Sequence, residues 1–274
     1  MKLKLGISTC PNDTFAFHAI LNHKVDLKGL DFQIELLDVQ QLNERLAEGS
    51  LDYSKASFHA ALHLTSKYGV LQAGSALGIG VGPILISAGS KTLEQNSRVL
   101  CPGEWTTASL LFRCLHPGVG VLSNSVFSEI MPALKSGITD FGVVIHEGRF
   151  TYESEGLTLV EDLGSSWERL TNGVVPLGGI LGRREIPEEI HRHFNSVLRD
   201  SINYAYLHSE EVFETMKQHA QELNKSAIWK HVELYVNEYT LDLGKIGQDA
   251  LGKMRTVALS AGLINAGNLP LQIL

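Results

Sequence analysis

The chain opens with a short alternation of apolar and polar residues. Over residues 2–8, two leucines and an isoleucine alternate with more polar neighbours, which is the period-2 pattern of a β-strand. Apolar residues at 15–21 predict a helix, residues 30–37 a second strand, and residues 39–47 a helix that ends near Gly49. This order of elements predicts the βα units of an α/β fold.

The pattern restarts near residue 97 and changes again near residue 187. Short strands and helices are predicted between these points, including helices at 110–115 and 127–134 and a strand at 157–162. From Pro187 onward the spacing of apolar residues becomes that of long amphipathic helices. These helices are predicted at residues 188–208, 210–223, 225–236 and 244–261.

Two apolar strands, near residues 83–87 and 174–183, bracket the middle of the chain. The segment between them has βα units of its own, so we expect an inserted second domain and a hinge of two crossing strands. The first α/β domain is predicted to comprise residues 1–87 and 183–274, including the C-terminal helices. The second α/β domain is predicted at residues 88–182, and the ligand cleft between the two.

Composition excludes several classes of protein. The formal net charge of −7 over 274 residues provides no electrostatic attraction to nucleic acid or anionic lipid. The amino terminus lacks the apolar region and cleavage site of a signal peptide, and no apolar run reaches the length of a membrane span. The three cysteines share no CxxC spacing. A reduced, cytoplasmic protein is therefore expected.

A β-branched apolar run ends at His146 and predicts a site at the end of a strand. Val143 to Ile145 have the character of a strand buried in a parallel sheet. Ligands of open α/β sheets bind beyond the carboxyl ends of the strands, and an imidazole there can move protons near neutral pH. A histidine that only hydrogen-bonds a loop carbonyl is the alternative.

Several helix starts carry groups that suit a small anion. Asn12 or Asp13 is predicted to cap the first helix and leave free backbone N–H groups at the sheet edge. A short strand at Tyr53 is predicted to give way over residues 54–57 to a helix reaching about Lys67, with Ser57 as its N-cap. Lys55 lies at this helix start, and the combination suits a carboxylate or phosphate. Hydroxyl-rich residues 106–109 open another helix. Each of these segments is equally consistent with an ordinary capped turn.

Two further patterns predict chemistry only weakly. Cys10 precedes a predicted helix, where a thiol can act as a nucleophile. However, no acid–base partner lies at a sequence spacing that would indicate a catalytic pair. His59 and His63 are four residues apart, as in a zinc helix, but Ala60 occupies the position of the glutamate in an HExxH motif. Packing or surface histidines are the preferred interpretation there. The glycine-rich segment 74–83 lacks the lysine–hydroxyl pair of a P-loop.

Blocks distributed over essentially the whole chain resemble one family, the 1,4-dihydroxy-6-naphthoate synthases of the futalosine route to menaquinone. The blocks are TCPNDTF (9–15), SKAS (54–57), GVGP (80–83), PG with TTA (102–103 and 106–108), IHE with RFTY (145–147 and 149–152), and residues 229–237. The resemblance implies a two-domain fold like that of the type II periplasmic binding proteins, without an export signal.

The resemblance also implies an activity. The substrate would be cyclic dehypoxanthine futalosine, and the products 1,4-dihydroxy-6-naphthoate and dihydroxyacetone. His146 matches the family's proton acceptor, with Glu147 or a backbone carbonyl as the group that sets its tautomer. Lys55, Ala56 and Ser57, together with Thr107 and Ala108, match substrate-contacting segments, and the helix starts add Thr106 and Asn12 to the predicted contacts. No metal or redox cofactor is expected.

Two other functions stay open at this point. Chorismate dehydratase of the same pathway has the same fold and would act on chorismate. A non-catalytic binder of a small carboxylate would hold a ligand and form no product. The partner expected in every case is a small carboxylated molecule, and the sequence does not predict the oligomeric state.

Overall fold

The computed structural model describes residues 2–146, 148–220 and 224–274, and these form two mixed β-sheets flanked by helices. The strands are β1 (Lys2–Ser8), β2 (Asp31–Leu37), β3 (Tyr53–Ser57), β4 (Tyr68–Val70), β5 (Ala76–Gly78), β6 (Ile84–Ser87), β7 (Arg98–Cys101), β8 (Val121–Asn124), β9 (Phe141–Val144), β10 (Thr158–Asp162) and β11 (Val175–Arg183). The helices are α1 (Pro11–Leu21), α2 (Val39–Ala47), α3 (Phe58–His63), α4 (Thr107–Leu115), α5 (Phe127–Lys135), α6 (Gly148–Thr151), α7 (Leu163–Thr171), α8 (Glu188–Leu207), α9 (Ser209–His219), α10 (Lys225–Tyr235), α11 (Glu238–Leu241) and α12 (Gly244–Ser260).

The first sheet has the order β2-β1-β3-β11-β4, and β5 also pairs with β11. Strand β1 runs parallel to β2 and β3, whereas β11 runs antiparallel to β3. The second sheet has the order β10-β6-β9-β7-β8. Its central strand β9 is parallel to β7 and antiparallel to β6. The expected α/β class is confirmed, but the strand before His146 lies in a mixed sheet rather than a purely parallel one.

The chain passes between the sheets twice, through two crossover segments at residues 79–83 and 172–174. Strand β6 pairs within the second sheet, and β11 pairs within the first. The division predicted at residues 87–88 and 182–183 stays a prediction. From the strand pairing we propose that the lobes divide earlier at both points, before Ile84 and before Val175.

Local sequence signals explain several helix starts, including that of α2. Asp38 accepts a hydrogen bond from Gln40 N at 2.8 Å, and Gln41 completes a capping box at the start of α2. The side chains of Leu3, Leu5 and Ile7 in β1 are buried in the same apolar core as Phe194 and Leu198 of α8. Burial of this kind is the main source of stability for the fold.

Some sequence predictions were wrong in detail. Helix α1 begins at Pro11 rather than Phe15, and α3 ends at His63 rather than near Lys67. Residues 54–57 belong to β3, because they pair with β11. Helix α9 ends at His219, and the predicted extension to residue 223 falls partly on 221–223, outside the described residues. Within the described ranges, no helix combines the length and apolarity that crossing a membrane requires.

Candidate active site

A cavity of about 100 Å³ lies between the two sheets and is lined by residues from both. Its walls include the start of α1, the end of β3, the start of α4 and the segment after β9. All eight residues predicted from the sequence as site residues line this one cavity. They are Asn12, Lys55, Ala56, Ser57, Thr106, Thr107, Ala108 and His146. Their roles stay predictions, but the geometry brings them together.

His146 follows β9 in a backbone conformation that is uncommon for a residue with a side chain. Its φ is +55°, in the left-handed region, which is strained for residues other than glycine and is often found at functional sites. The ring is half-buried and meets the edge of Phe127, with 5.0 Å between centroids. Glu147, considered as a group that sets the tautomer, lies outside the described residues.

Cys10 is the N-cap residue of α1, and its thiol contacts the ring of His146. Sγ lies 3.4 Å from Nδ1 and 3.5 Å from Nε2. Because the two distances are nearly equal, the sulfur packs against the ring rather than lying on the axis of one N–H group. Sequence spacing showed no such neighbour for Cys10, and only the tertiary structure brings its thiol to an imidazole.

Lys55 and Asp13 form a buried ion pair in the wall of the cavity. Nζ of Lys55 lies 2.7 Å from Oδ1 of Asp13, and both side chains are almost inaccessible to solvent. The same ammonium donates to Gly74 O at 3.4 Å. Since a lysine ammonium carries three N–H donors, Lys55 can also donate to an anion in the cavity.

The prediction that Asn12 or Asp13 caps α1 was wrong. Pro11 occupies the first helical position, and the N-cap is Cys10, which makes no side-chain capping bond. The amides of Asp13 and Thr14 both donate to Cys10 O, at 3.0 and 2.9 Å, so this helix start does not offer them to a ligand. The side chains of Asn12 and Asp13 instead make polar contacts beside the cavity.

The start of α4 has the geometry expected of an anion site. Thr106 is the N-cap, and its Oγ1 accepts from Ser109 N at 3.3 Å. Thr107 Oγ1 donates to Leu177 O at 2.6 Å. The amides of Thr107 and Ala108 have no acceptor among the described residues. Two unpaired N–H groups at a helix N-terminus beside a cavity suit a carboxylate.

Ser57 lies at the junction of β3 and α3, and Asn43 holds it. Its N–H donates to Asn43 Oδ1 at 3.0 Å, and its hydroxyl accepts from Asn43 Nδ2 at 3.3 Å. Ser57 is the N-cap of α3 without a side-chain capping bond, so the hydroxyl hydrogen remains for a ligand. Ala56 lies beside it in β3 and is buried.

His59 and His63 support the fold. Nδ1 of His59 donates to Thr106 O at 3.1 Å, and the ring of His63 stacks on Trp105 with an interplanar angle of 15°. Burial, reinforced by His63, lowers the pKa of His59 to about 4. No cluster of potential metal ligands occurs in the part of the chain that the structure describes.

Two contributors to the cavity were missed from the sequence. Asp13 was predicted as a cap in a loop at the pocket but not as the ion-pair partner of Lys55, and His231 of α10 was not singled out, although both are buried at the site. Neither residue shows in its local sequence that it belongs to a binding site, because one is an acidic residue two positions after a proline and the other a histidine in an amphipathic helix. Only the packing of α10 against α1 brings His231 to Asn12, with 2.9 Å between Nε2 and Oδ1.

Comparison with known proteins gives one consistent family. Residues 3–259 match the family model for menaquinone biosynthesis. A 1,4-dihydroxy-6-naphthoate synthase of Thermus thermophilus is 39% identical over 269 residues, which cover 98% of each chain. An enzyme of the same name from Streptomyces coelicolor is 35% identical over 270 residues, covering 96% of this chain and 95% of its own.

Solved structures agree on the fold. A protein of Archaeoglobus fulgidus superposes with a TM-score of 0.92 at 30% identity, covering 96% of this chain and 98% of its own. The alkanesulfonate-binding protein SsuA of Xanthomonas axonopodis, solved with bound MOPS, has a TM-score of 0.74 at 12% identity, covering 98% and 96%. The expected likeness to periplasmic binding proteins is thereby confirmed.

Proposed function

The chain belongs to the menaquinone-biosynthesis family, and on that premise we propose that it is a 1,4-dihydroxy-6-naphthoate synthase. Its substrate is cyclic dehypoxanthine futalosine, and it releases dihydroxyacetone. The observation that carries the proposal is the single cavity in which His146 stands with the unpaired amides of α4 and the ammonium of Lys55.

The carboxylate of the substrate binds at the donor-rich wall of the cavity. Lys55, Thr107 and Ala108 line the cavity, and the backbone amides of the two α4 residues and the remaining N–H of Lys55 are hydrogen-bond donors. Because Asp13 neutralises Lys55, the helix terminus supplies most of the attraction for the anion. The hydroxyl of Ser57 is placed to donate to the same molecule.

His146 acts as the general base. Cleavage of a carbon–carbon bond toward an aromatic product requires removal of a proton, and a positioned base contributes roughly 10²–10⁴-fold to the rate. The imidazole accepts the proton at one ring nitrogen, and Cys10 and Phe127 hold the ring in place. Aromatisation of the product supplies much of the driving force.

The size of the cavity implies that the lobes open to admit the substrate. The cavity holds about 100 Å³, whereas pockets for drug-sized ligands typically hold about 300–1,000 Å³. Movement at the crossover segments would separate the two sheets and widen the space between them. Glycines at positions 80 and 82, both with positive φ, give the first crossover segment its sharp bends.

The test is a direct assay. The purified protein is incubated with cyclic dehypoxanthine futalosine, and both products are identified by liquid chromatography with mass spectrometry. Formation of 1,4-dihydroxy-6-naphthoate and dihydroxyacetone in equal amounts is expected. If the substrate is recovered unchanged across the pH range while the protein stays folded, the proposed activity is wrong.

A non-catalytic binder is the second candidate, because the fold is shared with solute-binding proteins. It would bind the carboxylated substrate in calorimetry and form no product in the same tubes. Chorismate dehydratase, the other alternative, is tested by supplying chorismate under identical conditions. Consumption of chorismate, without turnover of the futalosine derivative, would replace the proposed function.

A further inference from the structure

His231 is a buried histidine that stands beside His146 in the cavity wall. Its side chain belongs to α10, is 2% exposed and lines the cavity. The two imidazoles lie nearly parallel, with 5.8 Å between centroids and an interplanar angle of 25°. Tyr235 packs on the same ring at 4.6 Å. A polar ring is thus held at the site with little freedom to turn.

A chain of hydrogen bonds determines which nitrogen of His231 carries the proton. The carboxylate of Asp13 accepts from Lys55 and can only accept, so Asn12 must direct its Nδ2–H toward Asp13, at 3.1 Å. The carbonyl oxygen of Asn12 therefore faces Nε2 of His231, at 2.9 Å. Because that oxygen is also only an acceptor, Nε2 of His231 holds a hydrogen.

The ring of His231 is neutral at neutral pH. Burial lowers the pKa of His231 well below its usual value, and the nearby His146 and Lys55 lower it further. A neutral imidazole carries one N–H, and Nε2 already has it. Nδ1 is consequently a bare acceptor, and it is buried without a hydrogen-bond partner among the described residues. An unpaired buried acceptor is costly, which suggests that a ligand completes it.

We propose that His231 is a further substrate-binding residue, whose Nδ1 accepts a hydrogen bond from a hydroxyl group of the bound molecule. The inference rests on the proposed function, since the substrate and the naphthalenediol product both carry hydroxyl groups. A bare acceptor cannot bind a carboxylate, whose oxygens carry no hydrogen. The cavity therefore has a donor wall for the carboxylate, at α4 and Lys55, and an acceptor wall for hydroxyls, at His231.

The test measures how strongly the protein prefers a hydroxylated ligand. Affinities for 1,4-dihydroxy-6-naphthoate and for 2-naphthoate, which has the ring and carboxylate without hydroxyls, are determined by calorimetry for the wild type and for His231→Phe. The phenyl ring keeps the packing and removes both nitrogens. We expect about a tenfold loss of affinity for the dihydroxy compound, as for one lost hydrogen bond, and less than about a twofold change for 2-naphthoate.

Two comparison variants make the result specific. His231→Gln keeps an amide donor for Asn12 and a carbonyl acceptor, so it should recover part of the preference for the dihydroxy compound. His193→Phe replaces a partly exposed histidine of α8, outside the cavity, and should alter neither affinity. Thermal unfolding of each variant confirms that it is folded, and His231→Gln keeps the inference testable if the phenyl ring disturbs the core.

The possible results distinguish a failure of the role assigned to His231 from a failure of the proposed function. Equal losses for both ligands, or no loss for either, would overturn the role of His231 and leave the proposed function intact. If the wild type binds neither naphthoate and turns over no substrate, the proposed function fails, and the hydroxyl assignment fails with it. Nitrogen-15 NMR of the wild type gives an independent check, because a hydrogen on Nδ1 of His231 would overturn the inference by itself.

Discussion

The sulfur of Cys10 and the imidazole of His146 are in contact, with 3.4 Å between Sγ and Nδ1, although 136 residues separate them in sequence. Cys10 ends the loop after β1 in the first sheet, and His146 follows β9 in the second. The contact therefore joins the two sheets at the candidate base. We expect Cys10 to position the imidazole rather than to act as a nucleophile.

Cys10→Ala should lower kcat by roughly fivefold, because a sulfur–ring contact contributes about 1 kcal/mol. A covalent nucleophile would instead be indispensable, and its loss would remove all turnover. Steady-state kinetics with cyclic dehypoxanthine futalosine distinguish the two. Cys114→Ala is the matched control, since that thiol is half-buried, does not line the cavity, and has its pKa raised by burial to about 11. It should leave kcat unchanged.

His146→Asn should abolish the base while preserving the backbone. Asparagine tolerates positive φ better than most residues, so the protein should stay folded and bind 1,4-dihydroxy-6-naphthoate with nearly normal affinity. We expect kcat to fall by about 10²–10⁴-fold. His146→Ala should lose the same activity but be roughly 1 kcal/mol less stable, since alanine is strained at φ +55°. Near-normal turnover in either variant would refute the assignment of the base.

Lys55→Met should destabilise the protein strongly, because it leaves the carboxylate of Asp13 buried without its cation. Breaking a buried ion pair from one side costs about 3–5 kcal/mol, whereas removing both partners can be close to neutral. Lys55→Met combined with Asp13→Leu should therefore recover most of the lost stability. Urea denaturation of the single and double variants measures this. Additive losses would show that the two side chains are not coupled.

Stability should fall as the pH drops from about 6.5 to about 4, in part because of His59. Burial lowers the pKa of His59 from 6.5 to about 4, so the unfolded chain takes up a proton in this window and the folded protein does not. Its stabilising contribution is complete above pH 6.5 and is lost toward pH 4, by about 3 kcal/mol.

Denaturant unfolding at a series of pH values checks this expectation. His59→Gln should make the decline shallower by about that amount, and His193→Gln, at a partly exposed position of α8, should leave the slope unchanged. Parallel curves for the wild type and His59→Gln would show that His59 titrates normally in the folded protein.

Gly164→Ala should destabilise the junction between the first crossover segment and α7. A Cβ at this position would lie 1.9 Å from Val81 O, so the backbone would have to move, at a cost of roughly 2–4 kcal/mol. Gly252→Ala is the control in α12, where an added Cβ meets nothing within 4 Å. It should stabilise the protein by about 0.5–1 kcal/mol, as expected within a helix. Equal effects of the two substitutions on the melting temperature would contradict this packing.

Helices with strong local signals were predicted well from the sequence. Residues 39–47 were placed with the observed bounds, because a capping side chain precedes the helix and a glycine follows it. Residues 54–57 were misjudged, since their strand state depends on pairing with β11, more than a hundred residues away. The start of α1 was also missed, because Pro11 can start a helix but does not require one, whereas the predicted end at Leu21 is the observed one.

The sequence by itself determined the α/β class, the family, and the residue types available for acid–base chemistry and anion binding. These follow from short-range patterns of apolar spacing, capping and motif, each confined to a few neighbouring residues. Only the tertiary structure decided that Asp13 pairs with Lys55, that Cys10 touches His146, and that Asn12 orients His231. Such contacts join residues far apart in the chain, and burial together makes their charges and hydrogen bonds depend on one another.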